Sequence, residues 1–289
     1  MFKTIGVFGK YRDASVEESL KTLAQYLESK GIKVKIGHTT AEEITRDLPQ
    51  ERINDELCAG IDLAIVIGGD GTLLHVARNM AVSNVPVVGV NRGRLGFLTD
   101  IPQADMLSEI DAILNGDYTI EHRMMLDVQV LRDQEVLYQH IALNDVVIGK
   151  HALEKLINWQ ADVNGQFVTS ARSDGVILAT PTGSTAYALS AGGAIMHPGI
   201  GVISMVPVSP HTLSNRPITL PGDATIALTI KNRTQNCAHV SCDGLIGFKL
   251  LGDETVQVTR SEHAVKLVHT EKYNYFAMLR AKLGWGGAK

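Results

Sequence analysis

The spacing of hydrophobic and polar positions divides the chain into two parts of different character. In the first part, short apolar runs typical of buried strands alternate with segments whose apolar residues recur at helical spacing. The predicted strands are residues 5–8, 33–36, 62–67 and 85–90, and the predicted helices are 15–30, 48–57 and 73–81. This alternation predicts a doubly wound parallel α/β sheet, which binds ligands at the carboxyl ends of its strands.

The first helix has recognisable end signals. Ser15-Val16-Glu17-Glu18 has the form of a capping box that begins a helix at Ser15, and Gly31 is a typical residue for the end of that helix. The first helix is therefore predicted to fill the space between Ser15 and Gly31.

After a predicted helix at 106–114, the pattern changes to short alternating runs with few helices between them. These runs are residues 125–131, 144–148, 175–179 and 224–230. Gly222-Asp223 and Asn232-Arg233 are turn signals in the same part of the chain. We expect a β-rich second domain of the sandwich type, followed by a helix in the tail at 273–283.

Composition excludes several classes of protein. The chain has 289 residues, of which 45% are hydrophobic and 20% charged, with a formal net charge of -4. These values are typical of a globular protein, and the absence of a dense Lys/Arg block argues against binding to nucleic acid or to an anionic membrane. The three cysteines, Cys58, Cys237 and Cys242, are too few and too scattered for a disulfide framework.

The same composition bears on where the protein works. Cysteines that are odd in number and widely spread favour a reducing compartment. The amino terminus lacks the pattern of a signal peptide, and no apolar stretch approaches the ~18 residues of a membrane span. We therefore expect a soluble, cytoplasmic protein.

The most informative motif is the turn Gly68-Gly69-Asp70-Gly71-Thr72, between a buried strand and a helix. Glycines let the backbone approach a phosphate closely, and the amino end of a helix favours negative charge. The aspartate could also act as a general base towards an attacking hydroxyl. Alternatively, Asp and Gly occur in such turns simply because Asp caps a helix and Gly bends the chain.

Two common phosphate-binding motifs are absent around this turn. The chain contains no Walker A string, and Leu74 stands where a dinucleotide fingerprint needs its third glycine. A P-loop ATPase and an ordinary dehydrogenase are therefore disfavoured. His75 lies one helical turn after Thr72 and is a candidate for the phosphate site, although a single helical histidine is more often structural.

Three further segments are candidates for binding. Residues 180–193 are rich in hydroxyl-bearing and small side chains, which suit a sugar and a stacked base with Tyr187 as the platform, or else a tightly packed turn. Asn144-Asp145 opens a β-branched strand and is equally typical of a turn. The glycine-punctuated segment 91–98 is either a turn that links domains or a loop beside phosphates.

Taken together, these strings resemble the NAD kinase family, whose motifs occur in the same order across nearly the whole chain. Residues 68–72 are similar to its signature, 89–99 to its glycine-rich link, and 144–145 and 180–193 to its dinucleotide-binding motifs. The first motif also resembles the turn of 6-phosphofructokinases and diacylglycerol-type lipid kinases. The segment 180–193 favours NAD kinase over these.

This resemblance implies an architecture and a reaction. Residues 1–102, completed by 268–289, would form an α/β nucleotide-binding domain, and 103–267 a β-rich NAD-binding domain, with a cleft between them. The chain would transfer the γ-phosphoryl group of ATP to the 2′-hydroxyl of the adenosine ribose of NAD, with a divalent ion such as Mg²⁺ as cofactor. It would assemble as a homo-oligomer, either a dimer or a tetramer.

The resemblance also implies site residues, with Asp70 as the proton acceptor and no assigned metal ligands. The predicted substrate-binding set is Gly68, Gly69, Asp70, Gly71, Thr72, His75, Asn144, Asp145, Lys155, Arg172, Asp174, Thr182, Thr185, Ala186, Tyr187, Ala188, Leu189 and Ser190. Two alternatives remain at this stage. One is a lipid or sugar-phosphate kinase that uses the same glycine turn, and the other is a noncatalytic NAD(H)-sensing module in which Asp70 only caps its helix.

Overall fold

A computed structural model describes most of the chain. The described residues are 2–10, 14–39, 58, 60–93, 95–150, 156–212, 214–231, 238–252 and 254–285. The predicted helix at 48–57, the Asn232-Arg233 turn and the predicted site residue Lys155 lie outside them.

Strands alternate with helices in the first part of the chain, whereas strands predominate in the second part. The α-helices are α1 (Ala14–Ser29), α2 (Asp70–Val82), α3 (Met106–Asn115), α4 (Tyr187–Ser190) and α5 (Tyr275–Leu283). The strands are β1 (Thr4–Lys10), β2 (Lys33–Thr39), β3 (Leu63–Ile67), β4 (Val87–Asn91), β5 (Ile101–Pro102), β6 (Thr119–Arg132), β7 (Glu135–Ala142), β8 (Asp145–Lys150), β9 (Ile157–Val163), β10 (Gln166–Ser173), β11 (Gly175–Ala179), β12 (Val202–Val208), β13 (Ile218–Pro221), β14 (Ile226–Ile230), β15 (Ala238–Cys242), β16 (Leu245–Leu250) and β17 (Thr255–His269).

The chain divides into two compact units, Met1–His122 with Val265–Lys289, and Arg123–Ala264. The boundaries fall inside the long strands β6 and β17. The first unit includes α3, because Met106, Ile110 and Ile113 pack in the same hydrophobic cluster as β1, β3 and β4. It therefore extends beyond the predicted division at 102, while the division of the chain into functional domains stays a prediction.

The first unit is a parallel α/β sheet, as the alternation of apolar runs predicts. Strands β2, β1, β3 and β4 lie side by side and all pair in parallel, and the end of β17 joins β4 through Leu267 and Val87. Both β3 and β4 are buried along their whole length. Such complete burial explains why their sequences are continuous apolar runs rather than alternating ones.

The second unit is a β-sandwich. One of its sheets has the strand order β13-β12-β11-β8-β15-β16, and all neighbours in it are antiparallel. The other contains β10, β9, β14 and β17, with β6 on β17 and β7 on β6. Alternate residues of both sheets meet in one core that includes the fully buried Trp159. The predicted β-rich sandwich is confirmed.

Most predicted elements match the observed ones within a few residues, since their patterns are local. The predicted strand at 175–179 coincides with β11, and Gly222-Asp223 forms a turn. The amino end of α1 differs from its prediction, because the helix begins at Ala14 and includes Ser15 instead of being capped by it. At its other end, Gly31 adopts a φ of 78°, the left-handed conformation expected of a terminating glycine.

No helix of the described chain is both long enough and apolar enough to cross a membrane.

Candidate active site

The Asp70 carboxylate holds a loop that lies 27 to 29 residues further along the chain. Asp70 is the first residue of α2, directly after the turn that follows β3. Its Oδ2 accepts the backbone N–H of Phe97 at 2.8 Å, and its Oδ1 accepts those of Leu98 at 3.0 Å and Thr99 at 3.2 Å. The Thr99 hydroxyl donates to Oδ1 at 3.3 Å. Hydrogen bonds from four donors stabilise the negatively charged form of a carboxylate.

Glycines allow this loop to approach Asp70 closely. A Cβ at Gly96 would overlap Asp70 Oδ1 and Thr99 Oγ1, and a Cβ at Gly89 would lie 2.9 Å from the Cα of Thr99. The loop is closed on itself by Asn91, whose amide nitrogen donates to the Thr99 carbonyl at 3.3 Å. Residues 95–99, which follow β4, therefore form a loop fixed against the predicted catalytic carboxylate.

The glycine turn before α2 leaves the amino end of that helix open. Gly69 is the N-cap residue, with φ of -95° and ψ of 179°, and provides no side-chain cap. A Cβ at Gly69 or Gly71 would meet no described atom within 4 Å, whereas one at Gly68 would lie 2.9 Å from the side chain of Thr72. The backbone of Gly69 and Gly71 is thus accessible, which is the property that phosphate binding at a helix amino terminus requires.

His75 lies further along α2 and keeps one ring nitrogen unused. Its Nε2 is buried and forms no hydrogen bond with any residue in the described part of the chain. Burial lowers the pKa of His75 below its usual value, and the positive charge of Arg78 lowers it further. The neutral imidazole is therefore the favoured form at pH 7.

A second aspartate holds a second loop, in the β-sandwich unit. Asp243 and Gly244 form the two-residue turn between β15 and β16, with φ values of 50° and 80°. The Asp243 carboxylate accepts three consecutive backbone N–H groups, those of Leu143 at 3.0 Å, Asn144 at 2.7 Å and Asp145 at 3.2 Å. This contact fixes the Asn144-Asp145 pair.

Asp145 is buried beside that charge. Only 4% of its surface is exposed. Burial, and secondly the negative charge of Asp243, raise the pKa of Asp145 to about 7. Near neutral pH the Asp145 side chain therefore carries a proton in a large fraction of molecules and can donate a hydrogen bond.

The first residues of the segment 180–193 pack against the Asn144 loop. The Thr180 hydroxyl donates to the carbonyl of Leu143 at 2.5 Å, and its N–H donates to the carbonyl of Asn144 at 2.9 Å. A Cβ at Gly183 would overlap the Asn144 carbonyl, and Ser184 is fully buried. For these residues, the tightly packed turn is the correct interpretation of the composition.

The predicted ligands in this segment divide by exposure. Thr182 and Ala188 are buried, with the Thr182 hydroxyl accepting from Arg123 at 3.4 Å and Ala188 packing against β11. Tyr187 and Ser190 are exposed. Thr185, Ala186 and Leu189 are half-buried. The structure thus gives packing contacts to Thr182 and Ala188, and contact between the segment and a dinucleotide stays a prediction.

A cavity of about 530 Å³ in the sandwich unit brings two predicted site residues together with four other polar residues. Its polar wall contains Lys150, Asp174, Tyr187, Ser209, His239 and Ser241. Lys150 Nζ lies 2.8 Å from Asp174 Oδ1. Ser209 has a φ of 47°, a strained conformation for a residue other than glycine and one that is enriched at binding sites. Arg172, also predicted, is exposed and does not line this cavity.

The sequence did not single out Lys150, Ser209, His239, Ser241 or Asp243. The first four are isolated polar residues in or beside strands, so nothing local distinguishes them from surface residues. Asp243 had a usable signal, because an Asp-Gly pair between two alternating strands is typical of a two-residue hairpin turn.

Comparisons with known proteins bear on both units. Residues 5–118 match the family model for the ATP-NAD kinase N-terminal domain, and residues 143–270 match the model for the ATP-NAD kinase C-terminal domain. The NAD kinase of Azoarcus sp. (strain BH72) is 46% identical over 286 residues, covering 98% of this chain and 96% of that protein. The NAD kinase of Nitrosospira multiformis is 43% identical over 286 residues, covering 99% and 97%.

The chain belongs to the NAD kinase family.

Solved structures of NAD kinases agree with the fold. Yeast NADH kinase complexed with NADH superimposes with a TM-score of 0.86 at 26% identity, covering 99% of this chain and 89% of that chain. An NAD kinase from Archaeoglobus fulgidus in complex with ATP gives a TM-score of 0.71 at 23% identity, covering 96% and 99%. The second likeness is one of fold alone.

Raising the pH should destabilise the protein through Asp145. Its folded-state pKa, about 7, lies above the ordinary value of 3.8. Between these two values the unfolded chain loses the proton first, so the free energy of unfolding should fall as pH rises from about 4 to about 7. One pKa unit corresponds to about 1.4 kcal/mol, so the loss should amount to a few kcal/mol. Thermal melting across this pH range measures it.

Two variants test the origin of this pH dependence. Asp145→Asn cannot lose a proton, and its melting temperature should vary less with pH than that of the wild type. Asp243→Asn removes the second cause of the raised pKa and should reduce the dependence, while also lowering stability at every pH because the three backbone donors lose a charged acceptor. Equal slopes for wild type and Asp145→Asn would contradict the assignment.

Gly96→Ala should reduce activity, because its Cβ would overlap the Asp70 carboxylate and force the loop away. A displacement of about 1 Å at a reacting group can cost on the order of 10²-fold in rate. Steady-state kinetics measure this loss. Gly31→Ala is the control, because a Cβ there meets no described atom and the strain that a φ of 78° imposes on alanine arises far from Asp70 in sequence. Similar kinetics for the two variants would argue against a role for the Asp70 loop.

Proposed function

We propose that this chain transfers the γ-phosphoryl group of ATP to the 2′-hydroxyl of the adenosine ribose of NAD. Membership of the NAD kinase family makes it an enzyme that phosphorylates NAD. The proposal adds the atom that accepts the phosphoryl group and the residues that act on it. The observation that carries it is the Asp70 carboxylate, which four donors fix beside the open amino end of α2.

Asp70 accepts the proton of the 2′-hydroxyl in this proposal, and the geometry favours Oδ2 for the task. Oδ1 receives three donors, whereas in the described chain only Phe97 N–H donates to Oδ2. A carboxylate oxygen has two lone-pair directions, so Oδ2 keeps one for a substrate hydroxyl. The remaining donors keep the carboxylate from rotating, and such positioning supplies much of the catalysis in phosphoryl transfer.

The accessible backbone of Gly69 and Gly71 binds a phosphate of ATP in the same proposal. The first N–H groups of an α-helix have no partner within the helix, Gly69 gives α2 no side-chain cap, and the helix dipole favours negative charge there. As the phosphoryl group moves, these amides stabilise the charge that develops on its oxygens. His75, on the same helix, would donate or accept a hydrogen bond through its unused Nε2.

The sandwich unit binds the dinucleotide. The polar wall of its cavity, with Tyr187 exposed beside the Lys150–Asp174 ion pair, suits an aromatic ring system that carries polar groups. The loop fixed by Asp243 presents Asn144 and Asp145, which offer amide and protonated carboxyl groups to ribose or base edges. Thr182 and Ala188 support this surface by packing.

The divalent ion is not assigned to protein ligands. The part of the chain that is described contains no group of three or more His, Cys, Asp or Glu side chains suited to hold a metal. Asp70 has most of its lone pairs occupied by donors, which also makes it a poor ligand. Mg²⁺ usually binds through phosphates and water with few protein ligands, and here it would arrive with ATP.

Replacing Asp70 with Asn should abolish most of the activity and leave NAD binding nearly unchanged. An amide cannot take the proton, and general-base catalysis supplies typically ~10²- to 10⁴-fold in rate. The measurement is kcat in a coupled assay, in which protein, ATP, Mg²⁺ and NAD are incubated and NADP is detected with a dehydrogenase that accepts only NADP. Near-wild-type turnover would remove Asp70 from the role of base.

Thr99→Val is the matched control for this substitution. It removes only the longest of the four hydrogen bonds to Asp70 and keeps the three backbone donors. Its kcat should stay within a few-fold of the wild type. The same assay separates the alternatives, because a lipid or sugar-phosphate kinase and a noncatalytic NAD(H)-sensing module would form no NADP.

Gly71→Ala should separate stability from ATP binding. Its Cβ meets no described atom, and alanine is favoured over glycine inside a helix by about 1 kcal/mol, so the melting temperature should stay unchanged or rise. The methyl group would nevertheless occupy the space proposed for a phosphate, so KM for ATP should increase about tenfold. An unchanged KM would show that phosphate does not approach Gly71.

The homo-oligomer and the cytoplasmic location stay predictions. Light scattering of the purified protein measures the first, and fractionation of cells the second.

A further inference from the structure

The carboxyl-terminal segment of the chain contacts the same loop as Asp70. Asp100 directly follows the three residues whose N–H groups bind Asp70. Its Oδ2 lies 2.8 Å from Nδ1 of His269, the last residue of β17. The His269 side chain is only 2% exposed, and its Nε2 lies 3.2 Å from Glu121 Oε2. Asp100 is thus tied to a buried ring that is itself fixed from a second side.

Two further contacts belong to this arrangement. Tyr273 stacks on the His269 ring, with centroids 3.7 Å apart and planes 10° from parallel. Lys282 of α5 lies over the ring of Phe97, with Nζ 5.4 Å from the centroid. Helix α5 begins at a side-chain cap, where Asn274 accepts the N–H of Ala277 at 2.8 Å. The loop is therefore held at Phe97 by α5 and at Asp100 by His269.

Asp100 depends strongly on its contact with His269. Its other oxygen, Oδ1, is buried and has no hydrogen-bond partner among the residues described. A buried carboxylate that loses its main partner is costly, so the surrounding chain tends to move until the group reaches water or another donor. Movement of Asp100 would shift Thr99, its neighbour in sequence and the donor of two hydrogen bonds to Asp70.

We propose that His269 is a positioning residue for phosphoryl transfer, acting on Asp70 through Asp100 and the backbone of residues 97–99. The carboxyl-terminal segment then sets the orientation of the carboxylate that receives the substrate proton. This inference rests on the proposed role of Asp70. His269 acts only through Asp100 in this proposal and contacts neither substrate.

The test uses His269→Gln in the full-length protein. Gln has one side-chain nitrogen and cannot contact Asp100 and Glu121 at the two positions of the ring nitrogens, so kcat should fall tenfold to a hundredfold, the range expected for a displaced reacting group. KM for NAD and for ATP should stay within about twofold, because no binding group is removed. Hydrogen exchange of a peptide spanning residues 97–99 should accelerate, since these amides would lose their fixed acceptor.

Lys272→Met is the matched control. Lys272 lies in the same segment and is anchored to Glu109 of α3 rather than to the loop, with Nζ and Oε1 2.5 Å apart. This substitution should leave kcat and the exchange of residues 97–99 as in the wild type. If it changed both as strongly as His269→Gln, general loosening of the segment would explain the effect and the proposal would be wrong.

A double variant shows whether His269 acts through Asp70. With Asp70→Asn already present, His269→Gln should cost little more in kcat, because residues that act as one unit are not additive. Full additivity would overturn the proposal. If His269→Gln does not fold, Asp100→Asn tests the same contact from the loop side, with the same expected direction.

The two proposals can fail separately. Near-wild-type kcat in Asp70→Asn would refute the proton-acceptor role. Wild-type exchange of residues 97–99 in His269→Gln would refute the positioning role, whatever the kinetics of Asp70 variants.

Discussion

Each unit of this enzyme depends on one aspartate that accepts three consecutive backbone N–H groups. Asp70 holds residues 97–99, and Asp243 holds residues 143–145. Hydrogen bonds to a charged acceptor are about twice as strong as neutral ones, so each carboxylate fixes the course of a loop far from it in sequence. The loops carry, or lie against, the groups proposed to act on substrate, and their shape therefore depends on a charge as much as on the hydrophobic core.

The sequence predicts strands, helices and turns, which depend on neighbouring residues, but it does not predict contacts between residues that are far apart in the chain. Runs such as 63–67 and 175–179 are apolar because the strands are buried on both faces, and this prediction does not require knowing which strand pairs with which. Asp70 was found because it lies inside a glycine turn that is itself a motif. Asp243 lies in an Asp-Gly hairpin turn, and this signal predicts the turn. It does not predict the loop about a hundred residues earlier whose N–H groups donate to the Asp243 carboxylate.

The segment 180–193 shows why composition alone left two interpretations open. Gly183 and Ser184 are buried, and a side chain on Gly183 would overlap the Asn144 carbonyl, so small size is a packing requirement there. Tyr187 is 46% exposed and borders a cavity, where an aromatic side chain gains little from the core. Residues that pack and residues proposed to bind are thus neighbours in this segment, and only their burial separates them. This burial pattern depends on how the segment packs against β11 and β12, and composition carries no information about that packing.

Asp70 and Asp145 have the same side chain and opposite hydrogen-bonding properties, and their neighbours are the cause. Around Asp70 every described partner is a donor, so the carboxylate remains an acceptor with one lone pair to spare on Oδ2. Asp145 instead lies buried next to Asp243, whose carboxylate accepts three backbone N–H groups. Burial, and secondly this neighbouring carboxylate, raise the pKa of Asp145 to about 7. Both causes disfavour the ionised form of Asp145, so its carboxyl keeps the proton to a higher pH.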